Sequence, residues 1–78
     1  MNSDDFINNL LIFAKLSNYK INIHEYDESK YYVFANPSVK LCIFYNNDFI
    51  EIAYPSKYKT NSNLCSIEKM YEFAIKSL

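Results

Sequence analysis

Between Tyr19 and Tyr54 the side chains alternate with period two in three separate stretches, and no other feature constrains the fold as much. A strand sends successive side chains to opposite faces, so each stretch predicts a strand with one face on a core. In the first, Tyr19, Ile21 and Ile23 oppose Lys20, Asn22 and His24, and the strand runs to Tyr26. In the second, Val39, Leu41, Ile43 and Tyr45 oppose Lys40, Cys42 and Phe44. In the third, Ile50, Ile52 and Tyr54 oppose Phe49, Glu51 and Ala53. The run from Tyr31 to Ala35 is apolar on both faces and is ambiguous by itself.

The intervening residues suggest how these strands connect. Asn47-Asp48 suits a two-residue hairpin, because Asn and Asp tolerate positive φ. It pairs Tyr45 with Ile50 and Ile43 with Ile52, apolar face on apolar face. A three-residue turn at Asn36-Pro37-Ser38 pairs Ala35 with Val39, Val33 with Leu41 and Tyr31 with Ile43. A three-residue turn at Asp27-Glu28-Ser29 pairs Ile23 with Val33. These pairings agree on one buried face, and a one-residue slip would invert a whole strand. The expectation is a four-stranded antiparallel meander.

Helices flank the strands. Ser3 is a candidate N-cap, with Asp4 and Asp5 in a first turn where the helix dipole favours negative charge. Phe6, Ile7, Leu10, Leu11, Phe13 and Ala14 then share a broad face, and Asn18 after Ser17 ends the helix. Ile12 and Leu16 lie off that face and four apart, hence side by side. Pro55 ends the last strand, and 56–63 reads as a polar loop. In the final helix Leu64 or Ile67, then Met70, Tyr71, Ala74, Ile75 and Leu78 recur at helical spacing, with Ser66 or Asn63 as cap. With both helices on one sheet face, the fold class is α+β, a two-layer α-β-β-β-β-α sandwich spanning 1–78 as a single domain.

Composition excludes several chemistries. Glycine is absent, and with it the phosphate-binding loops, the dinucleotide-binding turn and the nucleophile elbow. Arginine is also absent, so there is no bidentate fork for phosphate, carboxylate or guanine. Eight Lys against nine Asp plus Glu leave a net charge of −1, too balanced for a phosphate-neutralising surface or for convincing mimicry of one. The usage of Asn, Lys, Ile and Tyr is what AT-rich codons encode, which points to an AT-rich bacterial or viral genome. No stretch approaches the roughly 18 apolar residues of a membrane span, and Asp4 and Asp5 reverse the basic start of a signal peptide. Cys42 and Cys65 fit no ligand or redox spacing. One disulfide would be open to them in a secreted chain, but a reducing cytoplasm with both thiols free is expected.

No catalytic or metal-ligating constellation is legible, and no cofactor is expected. His24 is the sole histidine. Glu25 beside it points to the other face, and Cys42 lies two strands away, so no base is oriented toward a nucleophile. The chain reads as a non-enzyme. The candidate surface is instead the sheet face away from the helices, where the expected pairing places Tyr26, Tyr32, Phe34, Phe44 and Phe49, with Lys40 at the rim. Aromatic anchors dominate interface energies, so an uncovered face of this kind suits a protein partner. Lateral packing of these rings, or a helix crossing to that face, would remove the site. Ile12 and Leu16 offer a second contact, unless the 55–63 loop folds over them. Lys57, Tyr58 and Lys59 form a basic-aromatic cluster that could touch nucleic acid, although the Gly-aromatic signature of sheet-type RNA binders is missing.

In size, residue bias and an opening amphipathic helix followed by an antiparallel meander, the chain resembles the small phage-encoded anti-CRISPR proteins. The resemblance covers architecture and carries over no functional residue. It implies a non-enzymatic inhibitor of phage or mobile-element origin that binds a host protein complex, with a CRISPR effector as the implied target and the bacterial cytoplasm as its place of action. The near-neutral charge departs from the acidic members that mimic DNA and favours a steric or allosteric mode. The competing expectations are a nucleic-acid-binding or regulatory module, and a homodimeric structural subunit whose aromatic faces pack together.

Overall fold

The computed structural model describes residues 2–46, 49–55, 58–59 (backbone alone) and 66–78. The element order is α1 (Ser3–Leu16), β1 (Lys20–Glu25), β2 (Ser29–Ala35), β3 (Lys40–Asn46), β4 (Ile50–Tyr54), β5 (Tyr58–Lys59) and α2 (Ile67–Ser77). The strands form one antiparallel sheet in sequence order, with both helices on one face, so the α+β α-β-β-β-β-α sandwich stands with a short fifth strand added. That strand falls within 56–63, which the sequence suggested was loop throughout.

Both helix starts follow from capping. Asn2, not Ser3, caps α1: its side chain accepts from the Asp5 backbone N–H at 2.8 Å, and the Asp5 carboxylate accepts from the Asn2 N–H in return. This capping box satisfies two orphan donors at once. Ser66 caps α2 by accepting from the Lys69 N–H. The other expected start, Asn63 with Leu64, lies outside the described residues. At the far end of α1, Asn18 takes φ 63°, the left-handed conformation that asparagine tolerates better than most residues and that turns the chain into β1.

The α1 stripe is as expected, with Phe6, Ile7, Leu10 and Ala14 buried and Ile12 and Leu16 exposed. Phe6 meets Tyr71 of α2 edge-on, their ring centroids 5.6 Å apart. Met70 and Ala74 complete the helical contribution to the core. Helix α1 crosses the sheet obliquely. Its end is tied to the start of β1, where the Tyr19 N–H donates to the Ala14 carbonyl. Its start is tied to β3, where the Tyr45 hydroxyl donates to Asp4 at 2.7 Å. The Tyr19 hydroxyl donates to the Leu78 carbonyl and so joins the end of α2 to the same corner.

The register departs from the sequence reading at β2. The Tyr26 N–H donates to the Ser29 carbonyl and the Asn36 N–H to the Val39 carbonyl, so both turns contain two residues, not three. Asn36 makes the second turn short: its side chain accepts from the N–H groups of Ser38 and Val39, as Asx turns do. Tyr32 therefore pairs with Ile23 and Ile43, and Phe34 with Ile21 and Leu41. The two one-residue shifts cancel across β2, so β1 and β3 keep their expected faces and β2 alone is inverted. Tyr45 pairs with Ile50 and Ile43 with Ile52, as expected. Residues 47 and 48, the expected hairpin loop, lie outside the described set.

The buried sheet face consists of Tyr32, Phe34, Leu41, Ile43, Ile50 and Ile52. Ile23 was expected among them, yet it is 47 % exposed, because β1 is the sheet edge and α1 veers away from it toward β3.

Candidate functional site

The face of the sheet opposite the helices is built from the residues that alternate with the core set. On β1 and just beyond it these are His24 and Tyr26; on β2, Tyr31 and Val33; on β3, Lys40, Cys42 and Phe44; beside and on β4, Phe49 and Glu51. Among the described residues no helix covers this face. Two of its expected members are misplaced. Tyr32 and Phe34 are 4 % and 0 % exposed, stacked on each other at 6.2 Å within the core, because the two short turns invert β2. Tyr31 and Val33 take their places.

A second departure adds to the face. A bulge between β3 and β4 breaks the register after Ile43–Ile52 and sets Tyr54 opposite Cys42. Directly opposed residues share a face, so Tyr54 moves from the expected core side to the outer side, where it is 52 % exposed. The face thus carries Tyr26, Tyr31, Phe44, Phe49 and Tyr54. Phe44 and Phe49 lie 5.8 Å apart, diagonal neighbours that shield part of each other. Tyr26 is 63 % exposed, and Lys40 is exposed at the end of β3.

Tyr31 is the best-fixed group on this surface. Its ring lies 6.3 Å from that of His24 on one side, and on the other its hydroxyl interacts with the Cys42 thiol. That interaction, with partial burial, pushes its hydroxyl up to about 12. A phenol this hard to ionise is a hydrogen-bonding and packing group at neutral pH, not a base. Cys42 is a buried free thiol. Tyr31 stands between it and exposed His24, which leaves no Cys–His pair for nucleophilic chemistry. Cys65 lies outside the described residues.

The remaining candidates are scattered. Ile12 and Leu16 are exposed at 57 % and 81 %, on the helical surface away from the sheet, and no described residue covers them. Lys57 lies outside the described residues; Tyr58 and Lys59 form β5, whose backbone pairs with Ile52 and Glu51. A shallow cleft of about 330 Å³ opens at one end of the sheet between Asn18, Lys20, Ala35, Asn36 and Pro37. Among the described residues that line it, Lys20 alone carries an ionisable side chain. Among the described residues there is no group of three or more His, Cys, Asp or Glu that could hold a metal ion, and no helix is long and apolar enough to cross a membrane.

Sequence reasoning missed Tyr31 and Tyr54. The Asn-Pro-Ser turn carried a usable signal for Tyr31, since an asparagine that caps its own turn favours the shorter loop and fixes the parity of β2. The bulge that reorients Tyr54 has no comparable local mark. Compared with known proteins, the chain matches no family model, no curated protein and no solved structure.

Proposed function

We propose that the protein binds another protein through the outer face of its sheet and acts by occupancy, not by catalysis. The observation behind this reading is the set of five aromatic side chains, Tyr26, Tyr31, Phe44, Phe49 and Tyr54, on a face that no described helix covers. Tyr31, Phe44 and Phe49 are held by ring neighbours and lose little conformational entropy on binding, while Tyr26 and Tyr54, each more than half exposed, offer area to bury. Lys40 and Glu51 supply a polar rim. The biological setting we propose is an inhibitor of phage or mobile-element origin that blocks a host protein complex in the bacterial cytoplasm. A CRISPR effector is the first complex to try, and that choice rests on the resemblance in size and architecture alone.

The test is binding of purified CRISPR effectors and of host-lysate proteins by the parent and by Tyr26→Ala, Phe44→Ala and Tyr54→Ala. Each variant should remain folded and weaken binding by about 1 to 4 kcal/mol. Folded variants that bind as well as the parent would place the contact elsewhere. Salt-sensitive binding to RNA or DNA in place of protein would favour the nucleic-acid module instead.

A further inference from the structure

The sheet has two unequal edges. One is β5, two residues long; the other is β1, six residues long, with no described strand on its outer side. The Tyr26–Ser29 hydrogen bond fixes which groups of β1 face inward. In an antiparallel ladder bonded pairs alternate, so Lys20, Asn22 and His24 bond to β2. Ile21, Ile23 and Glu25 direct their N–H and C=O groups away from the sheet. Natural edges are usually blunted by proline, bulges or central charges. The middle of β1, Ile21-Asn22-Ile23-His24, has none of these.

We propose that β1 is a self-association edge: two copies pair antiparallel along β1, across a two-fold axis at Ile23, and join their sheets into one. In this register Ile23 faces its own copy, and Ile21 faces Glu25 of the second copy. All three outward N–H groups and all three outward C=O groups of each chain are then used. The register also keeps each residue on its own face, as a continuous sheet requires.

Two observations select a second copy. The first is charge. β1 begins at Lys20, shortly after Lys15, and ends at Glu25, followed by Asp27 and Glu28. In this antiparallel register Lys20 faces Tyr26 of the second copy and lies next to that copy's acidic Asp27-Glu28 turn, twice by symmetry, whereas parallel pairing sets like ends against like. The Glu25–Lys30 ion pair is exposed and long at 3.7 Å, and Asp27 and Glu28 remain to meet the second copy. The second is space. The oblique path of α1 leaves Ile23 47 % exposed at the proposed axis, where two isoleucines would cover each other.

Sedimentation of the parent from low micromolar to near-millimolar concentration should show a monomer–dimer equilibrium. Ile23→Pro removes an N–H that makes no bond to β2, so the variant should fold and dimerise on the order of tenfold or more weakly. Ile23→Lys should do the same by charge repulsion, and it decides the matter if the proline variant fails to fold. Ile23→Cys in a Cys42→Ser, Cys65→Ser background should oxidise to a covalent dimer, since bonded pairs bring Cα atoms to about 5.5 Å, within disulfide reach. Phe44→Ala should leave the dimer intact. A parent that stays monomeric overturns the proposal. So does a dimer insensitive to folded Ile23 variants, or one lost with Phe44→Ala, which would place self-association on the aromatic face.

Discussion

Replacing Phe34 by alanine tests the inverted strand most directly. The ring is 0 % exposed, enclosed by the core and stacked on Tyr32. Burying an aromatic side chain removes roughly 150 to 200 Å² from water, and at about 25 cal/mol per Å² that is about 4 to 5 kcal/mol. The usual range for Phe→Ala in a packed core, about 3 to 5 kcal/mol, agrees. At about 0.05 to 0.15 kcal/mol per residue, a chain of 78 residues has about 4 to 12 kcal/mol in total, so this one change removes a third of the stability or all of it. Val33 provides the control. It lies on the outer face, half-buried, and Val33→Ala should cost about 1 kcal/mol. Urea denaturation followed by circular dichroism separates the two: with an m-value of about 1 to 2 kcal/mol per M, Phe34→Ala should lower the midpoint by roughly 2 M or more, or leave the protein unfolded in water. If Phe34→Ala unfolds with the parent while Val33→Ala takes the large loss, β2 faces the other way and the site has the wrong members.

Ile43→Ala and Ile52→Ala, both at fully buried positions, should each cost about 2 to 5 kcal/mol, whereas Ile23→Ala at the half-exposed edge should cost under about 1 kcal/mol in the same denaturation assay. Alkali should destabilise the fold. Tyr31 is raised by its interaction with Cys42, Tyr32 by burial and Tyr45 by its hydrogen bond to Asp4. Because the fold favours the neutral phenols, their contribution is complete below the ordinary tyrosine value near 10 and is lost as pH rises through the raised values, up to about 12 for Tyr31. Urea midpoints should hold to about pH 10 and then fall, and tyrosinate absorbance should show a late-titrating class; a midpoint that rises above pH 10 would contradict this sign. Asn2→Ala removes the side-chain half of the capping box and should cost about 1 kcal/mol, while Ser3→Ala should cost far less.

How much of this was legible varied with how one-sided each segment is. The α1 stripe, the α2 stripe and the faces of β1, β3 and β4 through Ile52 follow from periodicity, because each segment has one face that water tolerates and one that it does not. The β3–β4 register followed as well, since Tyr45 on Ile50 and Ile43 on Ile52 is the pairing that buries both apolar sets. The candidate face was correct in Tyr26, Lys40, Phe44 and Phe49 and wrong in Tyr32 and Phe34. Periodicity could not place β2, because Tyr31, Val33 and Ala35 are as apolar as Tyr32 and Phe34, and the one local signal was the Asn36 turn that follows it.

The sequence by itself therefore determined the types and order of the two helices and the first four strands, though not the short β5, and left this chain without the residues that glycine-dependent and arginine-dependent sites require. It did so because periodicity, capping and composition act within a few residues along the chain. Tertiary structure alone decided which side of β2 is core, which tyrosines reach the outer face, and that Ile23 is left at an open edge. Each of these depends on turn geometry or on contacts outside the segment concerned. The Asn36 side chain shortens a turn, and a single residue of turn length inverts every side chain of the strand before it. A bulge opposite Ile43 rotates Tyr54 outward. The ties from Tyr19 to Ala14 and from Tyr45 to Asp4 set α1 obliquely and uncover Ile23. Where a strand is apolar on both faces, the free-energy difference between its two orientations lies in turn geometry and in the shape of the helical layer above it, and neither is written in that strand.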